Sequence, residues 1–209
     1  MASSRRKPAS ARVAARQDRS RAEIIAVARR LLVKGSVAEF TLDGVAEALG
    51  MTKPAIYHYF ENRGALIGAA VAYGFVQQAR VLSEAARAAE DGPAVLRAVT
   101  TAFVDHYVVR LEEFRLDFAW TQTNRNPNPS EVRGRILQVM NEMVTEVATK
   151  LRRGAPMPAK RARRLCVVAW TAGVGLVCAL SLTAASGTNL AHSTRALLGE
   201  INGLFEKLA

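Results

Sequence analysis

Lys53, Tyr57, His58 and Tyr59 fall within one eight-residue segment, "KPAIYHYF", of a 209-residue chain. An ammonium, an imidazole and two phenols so close together form a set of hydrogen-bond donors with flat apolar faces. Phosphate oxygens, base edges and thymine methyls are natural partners for such a set, and a lysine in particular suits guanine O6 and N7. Nothing in the segment pairs a nucleophile with a base, so the chemistry it offers is binding.

A second set is Phe103, His106, Tyr107, Phe114, Phe118, Trp120 and Trp170. Rings at this density suit a mostly apolar ligand pocket with a few polar anchors, and ordinary core packing would use them equally well. Asp105 and His106 with Glu112 and Glu113 have the residue types of a metal cluster. The chain has only three histidines, however, and no ligand spacing recurs, so neither a metal nor a cofactor is expected. Gly173-x-Gly175 has no preceding strand and lacks the third glycine of a nucleotide loop, and it reads as a close helix contact. With no nucleophile elbow and no paired carboxylates on an evident common face, an enzyme has little to stand on.

These residues need elements to position them, and helical spacing recurs throughout while strand-like alternation does not. Ser20 and Glu23 form a capping box ahead of Ile24, Val27, Ala28, Leu31 and Leu32, which predicts a helix over about 20–34. Thr41 can cap a short helix carrying Val45 and Leu49, Gly50 supplies a permissive turn, and Thr52 can cap a third helix with Pro54 in its first turn. Two short helices about a tight turn have helix-turn-helix geometry, in which the second enters the major groove. Val45, Leu49, Ile56 and Phe60 are spaced to face the first helix, which leaves Lys53 and the crowded rings as a DNA-facing surface.

The segment resembles the DNA-binding domain of the tetracycline-repressor (TetR) family of bacterial regulators. The family's pattern is matched by Thr41, Ala46, Gly50, Met51, Thr52, Ile56, Tyr57, Tyr59 and Phe60, over about residues 20–70. Arg63 stands where the family usually has Lys, and Gly64 with Ala65 replace its usual acidic pair. The resemblance implies that Thr41, Thr52, Tyr57, Tyr59 and Arg63 meet phosphates, and that Lys53, Pro54, Ala55 and His58 lie near base edges. It also implies a repressor-like dimer on a palindromic operator, with small effectors bound by the remaining helices.

The expected fold is all-α, with about nine helices. Residues 1–17 would be a disordered basic arm, 18–65 the DNA-binding domain, and 66–209 an effector-binding and dimerisation domain. Asn62 can cap a helix continuing to about Ala89. The clearest loop is "TNRNPNPS", residues 123–130, after which Val132, Ile136, Met140, Met143, Val147 and Leu151 mark a core-facing helix. Leu197, Ile201, Leu204 and Leu208 make a last stripe.

Residues 165–185 carry no charge and follow "KRARR", which is a transmembrane signature in length and flanking charge. A helix buried in an oligomer core looks the same, and the family resemblance favours that reading: no membrane, and a homodimer interface instead. Cys166 and Cys178 lie on this one helix about 18 Å apart, too far to pair there, and read as small core residues.

The formal net charge of +11 suits an anionic partner such as DNA. Residues 1–17 hold five basic side chains and no apolar run of the kind a secretory signal needs, so a cytoplasmic location is expected. Three readings follow: an effector-responsive DNA-binding regulator, a membrane-tethered DNA-binding protein, and last a small helical enzyme.

Overall fold

A computed structural model describes residues 9–123, 130–188 and 190–207. Among these the chain is all-α, with helices α1 (Ala9–Lys34), α2 (Leu42–Leu49), α3 (Lys53–Tyr57), α4 (Arg63–Ala88), α5 (Ala94–Val108), α6 (Leu111–Thr123), α7 (Ser130–Gly154), α8 (Ala159–Ser186) and α9 (Thr194–Glu206). It divides into two units, residues 1–73 and 74–209, so α4 contributes to both.

The first unit is built on short helices with well-defined ends. Thr41 is the N-cap of α2, and its hydroxyl oxygen accepts the Gly44 N–H at 3.1 Å. Gly50 ends α2 at φ 61°, a left-handed conformation that costs glycine little. Asn62 caps α4, accepting the Ala65 N–H at 2.9 Å. Ile24, Ala28, Val45, Ile56 and Leu66 are fully buried and make the core of this unit, with Leu32 and Phe60 close behind. Arg29 is buried with them and donates to the Ala70 carbonyl at 3.2 Å, which ties α1 to α4.

Two expectations about the start of the chain are corrected. The first helix begins at Ala9 rather than Ser20, so Ser20 lies inside it and caps nothing. Residues 9–17 of the expected disordered arm are therefore helical, while the arm's Arg5, Arg6 and Lys7 lie outside the described residues. The reason is local: "ASARVAARQDR" is made largely of strong helix formers.

The second unit is organised by α8. It packs most extensively on α5 and next on α7, and α9 closes over α5 and α8. Gly173 makes the α5–α8 approach possible, since a Cβ there would sit 3.0 Å from the Phe103 ring. The close contact expected of Gly173-x-Gly175 is thus real at the first glycine, while the second faces open space. The Thr100 hydroxyl reaches across the same seam to the Ala169 carbonyl at 3.1 Å. At the other end, Gly154 meets the turn between α4 and α5 so closely that a Cβ would lie 2.5 Å from the Gly92 nitrogen.

Ser193 caps α9 through the Ala196 N–H at 3.2 Å. In α9 the chain buries Leu198 and Phe205 and leaves Leu204 63% exposed. Of the expected stripe, Leu197 and Ile201 pack half-buried against the core, Leu204 turns outward, and Leu208 lies outside the described residues. Cys166 is buried and Cys178 half-buried, and both are free thiols. By length and composition α4 and α8 could each cross a membrane, a test that the core helices of soluble proteins also pass.

Candidate nucleic-acid interface and internal cavity

In the first unit, α3 is only five residues long, and its inward and outward sides divide cleanly. Ile56 is fully buried and Phe60, just beyond the helix, is 2% exposed, while Lys53, Pro54 and His58 are exposed and Tyr57 is 48% exposed. The Tyr57 ring therefore points away from the core. His58 stands edge-on to Tyr59 at 5.2 Å between ring centroids. Tyr59 and Ala55 are half-buried, and the Tyr59 carbonyl accepts Arg21 Nη1 at 2.7 Å. The Arg21 guanidinium also lies over the Phe60 ring at 4.3 Å, closing this end of the motif onto α1.

Thr52 occupies the N-cap position of α3 but not by the expected means. Its side chain makes no capping bond, and its carbonyl accepts the Ala55 and Ile56 N–H groups at 3.0 and 3.3 Å. The exposed hydroxyl is left to face outward. Lys53 is not free: its Nζ donates to Asp43 Oδ2 at 2.8 Å across the α2–α3 turn. The hydrogen bond to Asp43, and next the carboxylate's charge, raise the Lys53 pKa, so the residue is a full cation at neutral pH.

Arg63 does something sequence reasoning missed. Its Nε donates to the Phe40 carbonyl at 2.7 Å, and its Nη2 donates to the Val37 and Ala38 carbonyls. The guanidinium thus holds the connection between α1 and α2 by its backbone, which leaves chiefly Nη1 for an outside phosphate. The signal was present in principle, since a planar fork of donors satisfies several carbonyls where a lysine could satisfy few.

The second unit contains a cavity of about 490 Å³. Phe103, Tyr107, Phe114, Phe118 and Trp170 line it. Phe103, Tyr107 and Phe114 are in mutual ring contact, and Phe118 stacks on Phe114 at 5.5 Å. His106 and Trp120 do not line it, and the reason is helical phase. At about 100° per residue, 106 is turned about 100° from 107, and 120 about 160° from 118. His106 is instead half-buried edge-on to Tyr107 at 4.7 Å, and Trp120 is buried away from the cavity.

Several lining residues had no ring to advertise them. Phe75 and Gln78 come from α4, Asp117 and Thr121 from α6, Met140 and Val144 from α7, and Arg163 and Val167 from α8. Tyr107 Oη donates to Gln78 Oε1 at 3.0 Å, and Gln78 Nε2 reaches Met140 Sδ at 3.7 Å, so buried polar groups brace one side of the cavity. The volume and lining are those of a small-molecule site.

Residues 24–70 match the sequence model of bacterial regulatory proteins, tetR family. No curated protein matches the chain in sequence. Among solved structures, a protein of unknown function from Rhodococcus sp. RHA1 is 20% identical, covers 90% of this chain and 93% of its own, and superposes with a TM-score of 0.69. A TetR family transcription regulator from Marinobacter aquaeolei VT8 is 16% identical over 92% of this chain and 96% of its own, with a TM-score of 0.64. The regulator FadR from Bacillus subtilis, in complex with stearoyl-CoA, is 15% identical over 88% and 96%, with a TM-score of 0.62. At these identities the likeness is one of fold, and the assignment rests on the domain built around α2 and α3. Residues 24–70 are therefore a DNA-binding domain of the kind found in bacterial regulatory proteins of the tetR family, and the helices beyond it share the fold of solved transcriptional regulators.

Proposed function

We propose that the protein is a repressor that binds a palindromic operator as a homodimer and is released by a small, largely apolar effector. The observation that carries the DNA reading is the outward row of α3, where Lys53, Pro54, Tyr57 and His58 are exposed while Ile56 and Phe60 hold the helix to the core. Lys53, Pro54, Ala55 and His58 would lie near base edges, with Thr41, Thr52, Tyr57, Tyr59 and Arg63 toward phosphates. Arg16 and Arg19, exposed on the early turns of α1, add cations that a second stretch of backbone could use.

The homodimer is supported by the outer face of α8. Val168 is 54% exposed and Leu182 72% exposed, with Thr171 and Gly175 between them on the same face. An exposed apolar face over this part of α8 calls for a covering surface, and a second copy supplies one; Leu204 on α9 is a further exposed apolar residue. The same uncovered face is what a membrane anchor would present, so recovery of the protein in the soluble fraction without detergent separates the two readings. The effector reading is supported by the aromatic cavity, and the fold relative that carries stearoyl-CoA shows that this architecture accommodates a long acyl group in that protein.

A gel mobility shift tests the proposal. The protein should retard a duplex carrying the palindrome upstream of its own gene, with two chains per site, and not a scrambled duplex of equal length. Equal retardation of both would remove operator recognition from the account.

A further inference from the structure

The N-terminal end of α8 is built against the usual electrostatics of a helix. Its first turns hold Lys160, Arg161, Arg163 and Arg164 and no acid, so the side chains add positive charge where the helix dipole is already positive. Lys160, Arg163 and Arg164 have no ion-pair partner among the described residues. Arg163 donates only to neutral oxygens of α7, Nη1 to Thr145 Oγ1 at 2.6 Å and Nη2 to Asn141 Oδ1 at 2.5 Å. The nearby α7 carboxylates are engaged elsewhere, Glu142 with Gln138 and Glu146 with Arg87.

This cluster opens on the cavity. Arg163 lines it, and an adjoining groove is formed by Lys160, Arg163 and Arg164 with Val144, Val167 and Val168. Trp170, seven residues and about 10 Å along the same helix, lines the cavity too, and its Nε1 is buried with no acceptor among the described residues. An uncompensated buried donor and a half-buried guanidinium without an anion both lack the partner they are suited to. The rings and Met140 meanwhile offer apolar surface. Asp117 of α6, which is buried, is the acidic residue of the same lining.

We propose that the cavity takes a single-chain organic anion, its apolar part among the rings of α5, α6 and α8 and its anionic head at Arg163, with Lys160 and Arg164 behind it. The proposal rests on the reading of the cavity as the effector site. A carboxylate and a phosphate share the required chemistry, since either accepts both arms of a guanidinium.

Calorimetric titration of the full-length protein with four probes of one chain length is the test: dodecanoate, dodecyl phosphate, dodecanol and dodecyltrimethylammonium. The anions should bind one per chain, about tenfold or more tighter than dodecanol, with a preference that shrinks as salt rises. The tighter of the two anions identifies the head group. Arg163→Gln should abolish most of the preference while leaving dodecanol binding within about twofold, and Arg163→Lys should restore part of it. Because Arg163 also bonds α7, the exposed pair Lys160→Gln and Arg164→Gln provides a second variant, in which the salt dependence should flatten. If dodecanol binds as tightly as the anions, the cavity remains an effector site and the anionic head is wrong. If the trimethylammonium probe binds best, Asp117 rather than Arg163 sets the ligand's charge. If no probe binds, the effector reading falls together with this one.

Discussion

Lys53 faces two demands at once, since the cation best placed to read a base is already bonded to Asp43 at 2.8 Å. An exposed pair of this kind is weak and screened by water, so a guanine edge or a phosphate can compete for the ammonium. Lys53→Ala should cost about 1–3 kcal/mol on the cognate site and much less on a site altered at the contacted base pair. Asp43→Asn should tighten binding to every sequence, because it frees the cation and removes a negative charge from the DNA-facing side. Fluorescence anisotropy on cognate and altered duplexes reads both, and an unchanged affinity in Asp43→Asn would show that the pair does not restrain Lys53. The other residue-scale expectation concerns Cys166, whose thiol is pushed up to about 12, chiefly by burial. A raised thiol pKa leaves stability intact below the unfolded value near 9 and erodes it as pH climbs toward 12, because only the unfolded chain can then ionise. Cys166→Ala should remove that part of the alkaline loss, a slope of at most about 1.4 kcal/mol per pH unit, as followed by denaturant unfolding. An identical alkaline slope in the variant would refute it.

At the scale of elements, local chemistry that announces an end was readable in advance. Thr41, Gly50 and Asn62 each bound a helix where their residue type led one to expect it, whereas the Ser193 cap of α9 was not anticipated. The start of α1 was not readable from Ser20 and Glu23, because a capping box is also an ordinary pair of helix residues when strong helix formers precede it. Rings marked the cavity, but which rings reach it depends on helical phase, and Arg163, Gln78 and Met140 carry no signal until α4, α7 and α8 are brought together. Arg63 is the sharpest case, since its donors go to carbonyls of a loop more than twenty residues upstream. Arg63→Gln should therefore lower the stability of the first unit by about 1–3 kcal/mol, chiefly the cost of leaving the part-buried Phe40 carbonyl without its donor. Thermal unfolding followed by circular dichroism checks this. Weakened DNA binding with no loss of melting temperature would instead make Arg63 a phosphate contact first.

For the whole molecule, the uncovered face of α8 is the feature one chain cannot explain. Leu182→Glu places a charge on the exposed apolar face of α8 proposed as the dimer interface and should shift the protein to monomer at micromolar concentration, as light scattering would show, without unfolding it. Each head alone should then bind DNA weakly, because a single five-residue recognition helix offers few contacts. The most direct test of the central claim is the affinity and stoichiometry of the full-length protein on a labelled palindrome from upstream of its own gene, measured beside a duplex with one half-site scrambled. The account predicts two chains bound to the intact palindrome and an affinity lower by about tenfold or more on the half-site duplex, since one head loses its base contacts. Equal affinity for the two duplexes, or one chain bound to the intact site, would contradict it.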